Sequence, residues 1–154
     1  MNTIIRHRPE RIVVGTDGSV ASHAAVRWAI DHAQPGDTVT LVHVWHPSPV
    51  TVETGLVDPQ DDSGARHFVA HELARIEALP REHNVTVAAL VLRGDARDAL
   101  CGYAADLMVI GAGGHGLLIG AVLGSVSAHV VRHIHVPLVI VPASVDAGGP
   151  VLSP

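Results

Sequence analysis

The strongest constraint on this sequence is an alternation: short β-branched runs and stretches of helical spacing take turns from Arg11 to Val141. Arg11 to Asp17 is a β-branched run ending in turn chemistry, which predicts a first strand. Ser19 is placed to cap a helix in which Ala21, Ala24, Ala25, Trp28 and Ala29 recur at helical spacing, to about Gln34. Pro35, Gly36 and Asp37 form a turn into a second strand, Thr38 to Trp45. Residues 46 to 63 carry prolines and aspartates with no period and read as a long loop. Ala65, Phe68, Val69, Leu73, Ile76 and Leu79 then mark a second helix, stopped near Pro80. Val85 to Leu92 is a third strand, Gly94 and Asp95 open a short helix through Tyr103, and Leu107 to Ile110 is a fourth strand. A fourth helix runs from about Gly124 to His133, and Val136 to Val141 is a fifth strand.

Strand–helix repeats close through right-handed crossovers, so the expected fold is α/β: one open, doubly wound parallel sheet with helices on both faces. Uninterrupted apolar runs such as VTVAALVL and PLVIV fit strands buried on both sides. The length of 154 residues suits one domain. Its expected extent is residues 1–142, with residues 143–154 as a disordered tail.

In an open parallel sheet, ligands sit beyond the carboxyl ends of the strands, where the strand order reverses. That rule selects the loops Gly15 to Ser19, Val44 to His46 and Gly111 to Ser127. In the last of these, Gly111, Gly113 and Gly116 spell the G-x-G-x-x-G of a dinucleotide fingerprint. The pattern follows the fourth strand rather than the first, about eight residues separate it from Ser125, and the next acid is Asp146. A plain structural loop is the other simple alternative. The end of the loop says more, because Gly124, Ser125, Val126 and Ser127 open a helix. A helix start offers unpaired N–H groups and the positive end of the dipole, glycines admit phosphate oxygens, and serines add donors.

Composition narrows the chemistry. All ten basic residues are arginines, so a Walker-type phosphate lysine and a Schiff-base lysine are both excluded. A formal charge of −5 offers no basic stripe for nucleic acid. Leu107 to Val131 is free of charged residues and contains Gly116, Gly120 and Gly124 at helix-packing spacing, but its glycine cluster divides it into a strand and a helix, each too short to span a membrane. Met1 to Arg11 has no apolar run behind it, so no signal peptide is expected and a cytoplasmic location is. Cys101 is read as inert packing. Among twelve histidines, His67 with His71 and His129 with His133 share i, i+4 spacing, but zinc wants three or four ligands, so these are read as surface histidines without a metal. There is no G-x-S-x-G elbow, and no catalytic residue is assigned.

The spacing Gly111-x2-Gly114-x9-Gly124-Ser125 resembles the nucleotide motif of the universal stress protein family, in its ATP-binding branch. Val13 to Ser19 resembles the family's first strand and loop, Leu41 to Val44 its second strand, Ala105 to Gly111 its fourth and Val136 to Val141 its closing strand. The resemblance implies a sheet of five strands in the order 3-2-1-4-5, of the adenine nucleotide alpha hydrolase-like type. It implies ATP as ligand, with Mg²⁺ or Mn²⁺ held through the phosphates. Asp17 would meet the ribose and adenosine edge, Gly15 and Thr16 beside it would belong to the nucleotide site, and Val44 would offer backbone groups to adenine. Gly111, Gly114, Gly124, Ser125, Val126 and Ser127 would line the phosphates. The sequence departs from the family in one respect: His115 to Leu123 holds no Arg or Lys, leaving amides, hydroxyls, metal and His115 to meet the phosphate charge. The expected function is an ATP-binding regulatory protein of the stress response with slow or no hydrolysis, since no cation can be placed at a γ-phosphate. Its alternatives are a structural or adaptor member of the same fold and a dinucleotide-binding protein. The family also implies a homodimer paired through Val136 to Val141.

Overall fold

The computed structural model describes residues 8–47, 52–55, 58, 60–78, 85–113 and 123–143. In chain order these form β1 (Arg11–Gly15), α1 (Val20–His32), β2 (Thr38–Trp45), α2 (Ser63–Glu77), β3 (Thr86–Arg93), α3 (Ala96–Gly102), β4 (Leu107–Gly111), α4 (Ser125–His133) and β5 (Leu138–Val141). The five strands make one sheet in the order β3-β2-β1-β4-β5, with every neighbouring pair parallel. This is the doubly wound α/β arrangement anticipated from the alternation.

Side-chain alternation along the strands divides the core into two layers. Ile12 and Val14 of β1, Val39 and Leu41 of β2 and Val109 of β4 face Ala25, Val26, Ala29 and Ile30 of α1 and Ile76 of α2. Val13, Val42, Met108 and Ile110 point the other way, against Leu100 of α3 and Val130 of α4. Both edge strands, β3 and β5, are only half-buried in their interior positions.

Element ends moved by one or two residues, for local reasons. β1 stops at Gly15 rather than Asp17, because the loop closes on itself: Asp17 Oδ1 accepts the Ser19 N–H at 2.9 Å and Ser19 Oγ accepts the Ser22 N–H at 3.1 Å. The last of these is the cap anticipated at Ser19. β5 starts at Leu138 rather than Val136. Pro137 lacks the amide a ladder position needs, although its carbonyl accepts from Met108 N–H at 2.9 Å. The tail beyond Ala143 lies outside the described residues.

The amino-terminal edge of the sheet is tied by two carboxylates. Asp37 is 2% exposed and accepts the N–H groups of Glu10 and Gln34, each at 2.8 Å. Asp106 accepts from the Arg11 backbone N–H at 2.9 Å and from the Arg11 guanidinium at 3.0 and 3.2 Å. That pairing holds the Asp106 carboxyl at about 2, below its ordinary range.

Candidate functional site

The strand order reverses between β1 and β4, whose chains leave toward opposite edges of the sheet. Beyond their carboxyl ends is a cleft of about 270 Å³. Its floor is apolar, made by Val42 and Val44 of β2, Ile110 of β4 and Leu100 of α3. These are the residues whose strand or helix periodicity turns them toward the α3/α4 layer.

The polar rim comes from three segments. The loop after β1 supplies Gly15, Thr16, Asp17 and Ser19, the end of β4 supplies Gly111 and Gly113, and the start of α4 supplies Gly124 to Ser127. Thus Gly15, Thr16, Asp17, Val44, Gly111, Gly124, Ser125, Val126 and Ser127 from the sequence reading meet around one cleft. Gly114 and His115 lie outside the described residues. Val42, Leu100, Ala96 and Ile110 were not singled out from sequence, although Val42 shares Val44's strand face and Ala96 and Leu100 are i, i+4 on one helix.

The rim residues differ in what they have left to offer. Thr16 Oγ1 is buried and has no hydrogen-bond partner among the described residues. Asp17 is exposed, with one carboxylate oxygen engaged by Ser19 N–H. Ser22 Oγ donates to the Ser19 carbonyl at 3.0 Å, so that hydroxyl proton is used internally. Ser127 is likewise committed: its hydroxyl donates to the Gly111 carbonyl at 2.8 Å, fastening α4 to the end of β4. Gly124 caps α4 without a side chain, and its own N–H bonds the Ala112 carbonyl at 2.9 Å. The first intrahelical bond runs from Ala128 N–H to Gly124 C=O at 2.9 Å, so the amides of Ser125, Val126 and Ser127 precede the helical ladder. They carry the positive end of the helix dipole at the cleft wall.

Gly111 has a further reason to be glycine. A Cβ there would lie 2.6 Å from the Ala21 carbonyl carbon and 2.8 Å from Ala21 Cβ, because β4 ends directly against α1. Asp17 is the one charged side chain among the described lining residues; none is Arg, Lys or His. These features suit an anion held by amides and hydroxyls, with an apolar ring system on the floor. A divalent ion there would depend on the ligand's own oxygens for most of its coordination.

The remaining sequence candidates lie elsewhere. Cys101 is half-buried on α3, where burial pushes its thiol pKa up, away from a reactive thiolate. His129 and His133 stack at 4.0 Å on α4, and among the described residues no cluster of His, Cys, Asp and Glu could hold a metal ion. Among them too, no helix is long and apolar enough to cross a membrane.

Sheet order and cleft position together define a class: doubly wound α/β proteins with a cleft at the strand-order switch and a helix N-terminus on its wall, the place where such folds take ligands. Comparison with known proteins is more specific, since a model of the universal stress protein family matches residues 9–142. The chain belongs to the universal stress protein family. It is 37% identical over 139 residues to universal stress protein Rv2623 of Mycobacterium tuberculosis, a match covering 84% of this chain and 46% of that protein. The chain spans about half the length of the curated relatives it matches. Among solved structures it is similar to universal stress protein UspA from Lactobacillus plantarum, with TM-score 0.65, 23% identity, and coverage of 88% of this chain and 99% of that one. It is also similar to a universal stress protein solved in complex with cAMP, with TM-score 0.54, 26% identity, and coverage of 89% and 100%.

Proposed function

We propose that this chain is an adenine-nucleotide-binding regulatory protein, holding ATP in the cleft at the carboxyl ends of β1, β2 and β4 with slow or no hydrolysis. One observation carries the reading. Thr16, whose buried hydroxyl has no partner among the described residues, and the first turn of α4, whose amides precede the helical ladder, line the same cleft above an apolar floor. An orphaned buried hydroxyl is costly unless something binds it. The cAMP complex of the 26% identical relative supports an adenine ring and phosphate as that something.

In this reading adenine lies on Val42, Val44, Leu100 and Ile110, and Asp17 meets the ribose. Gly111, Gly114, Gly124 and Ser125 to Ser127 surround the phosphates, with Mg²⁺ or Mn²⁺ held mainly by phosphate oxygens. Ser127 contributes its amide, its hydroxyl being spent on Gly111. Turnover is slow because efficient hydrolysis needs a charge-stabilising cation at the γ-phosphate, and no described cleft residue supplies one.

Isothermal titration with ATP, ADP, AMP and cAMP, each with and without Mg²⁺, tests the reading. Binding below millimolar is expected for at least ATP with Mg²⁺. Silence from all four nucleotides would favour the adaptor reading instead. Several ATP cycles per minute would contradict the regulatory half. The open edge of β5 is the proposed site of homodimer pairing, because an exposed apolar edge strand invites another strand. A sedimentation profile showing only monomer at micromolar concentration would refute the dimer.

A further inference from the structure

Thr16 is gripped by β2 on both sides of its backbone. Its N–H donates to the Val42 carbonyl at 2.9 Å. Its carbonyl lies 2.9 Å from Nδ1 of His43, the next residue along β2. A carbonyl can only accept, so Nδ1 must carry the proton. With both backbone groups used, the buried Oγ1 hydroxyl is the one polar atom of Thr16 without a partner among the described residues, in a residue that lines the cleft.

The His43 ring is itself held in place. Phe68 of α2 packs on it with ring centroids 4.5 Å apart and planes at 47°. Phe68 reaches that position by crossing Gly18, where a Cβ would come within 2.9 Å of Phe68 Cε2. Gly18 also sits at φ +78°, which L side chains rarely adopt. A ring flip would replace the Nδ1 donor with a C–H, and the packed phenyl ring opposes it.

We propose that His43 is a positioning residue for the nucleotide site. It lies on the α1/α2 side of the sheet, yet its Nδ1–H fixes the Thr16 peptide at the wall of the cleft, and Phe68 fixes the imidazole. The inference rests on the nucleotide reading, and it makes α2 a structural part of a site it does not line.

The test compares the parent with His43→Asn, His43→Gln and His43→Leu, using ATP with Mg²⁺ and AMP as calorimetric probes and a thermal melt as the folding control. Asn places an amide N–H two bonds from Cβ, where Nδ1 stood; Gln moves it one bond further, and Leu removes it. His43→Asn should stay within about twofold of the parent, while Leu and Gln weaken binding by roughly two- to tenfold, the span of one net hydrogen bond. In the parent, ¹⁵N-histidine spectra near neutral pH should show His43 as the Nδ1–H tautomer, a signature that packing alone would not produce. Equal affinity of His43→Leu and parent, equal losses in Asn and Leu, or an Nε2–H tautomer would each overturn the proposal. A parent that binds neither probe would overturn the nucleotide reading beneath it, a result separable from the other three.

Discussion

Gly111→Ala separates two reasons for a glycine at the mouth of the cleft. Read from sequence, Gly111 is there to admit phosphate; in the fold, its missing side chain faces α1. The added methyl would meet the Ala21 carbonyl carbon at 2.6 Å, Ala21 Cβ at 2.8 Å and the Ala21 carbonyl oxygen at 2.8 Å. Two of those three atoms are helix backbone, which cannot swing aside as a side-chain tip can. Overpacking of a dense interior costs about 1–3 kcal/mol, and a backbone obstacle places this variant at about 3. At about 2–4 °C per kcal/mol for a domain of this size, the melting temperature should fall by roughly 6–12 °C. Thermal melts followed by circular dichroism, with urea titration for the free energy, read this directly. Adding Ala21→Gly removes the Cβ contact but leaves the carbonyl carbon and oxygen in place, so the double variant should recover less than half of the loss. Gly113→Ala is the control: nothing among the described residues lies within 4 Å of its Cβ, and its melt should stay within about 2 °C of the parent. A Gly111→Ala melt equal to the parent, or full rescue by Ala21→Gly, would show that α1 shifts freely against β4 and would refute the reasoning.

The other substitutions probe the two ends of the sheet. Gly124 has φ −61° and ψ 164°, a conformation open to any residue; Gly124→Leu should lower stability by about 1 kcal/mol through the poorer cap while bringing calorimetric nucleotide binding below detection. Asp37→Ala removes a buried carboxylate that accepts two backbone N–H groups and should cost about 3 kcal/mol in urea titration, with nucleotide affinity unchanged. The Asp106 carboxyl is held at about 2 by hydrogen bonding to Arg11, against an ordinary 3.8. Its contribution is therefore in place above the ordinary carboxyl range and is lost as pH falls through about 2. The stability gap between the parent and Asp106→Asn should accordingly shrink on acidification from about pH 5 to pH 2, and an unchanged gap would refute the assignment.

The fold was legible because each strand announces itself twice, by β-branched composition and by the turn residues after it. Ile12 to Val14 of β1 and Met108 to Ile110 of β4 are buried on both faces, and these two strands could be read within two residues. The site was legible for a different reason: in this topology the loops after β1, β2 and β4 must converge, so Thr16, Val44 and Ser125 meet whatever the motif between them. What stayed hidden depends on long-range packing. Nothing local shows that Asp37, at the end of a turn, would be buried to bond Glu10, or that Gly111 abuts Ala21. Nothing local to His43 shows that the fold brings the Thr16 carbonyl to its ring. The Ser127 hydroxyl is the counterexample, read as a phosphate donor but spent on Gly111.

These details divide the labour between the two edges of the sheet. At the amino-terminal edge polar groups are satisfied within the protein: Asp37 takes two amides, its carbonyl accepts Thr86 N–H at 3.2 Å, and Arg11 closes on Asp106. At the carboxyl-terminal edge the Thr16 hydroxyl and the first amides of α4 are left unspent. Unspent donors cost stability unless a ligand engages them, so the difference between the edges supports the proposed placement of the nucleotide. It follows that bound nucleotide should raise the melting temperature, and that this rise should survive Asp37→Ala but not Gly124→Leu. Only a ligand seated on the free donors of the carboxyl-terminal edge predicts that pairing, because a ligand bound elsewhere would be indifferent to Gly124.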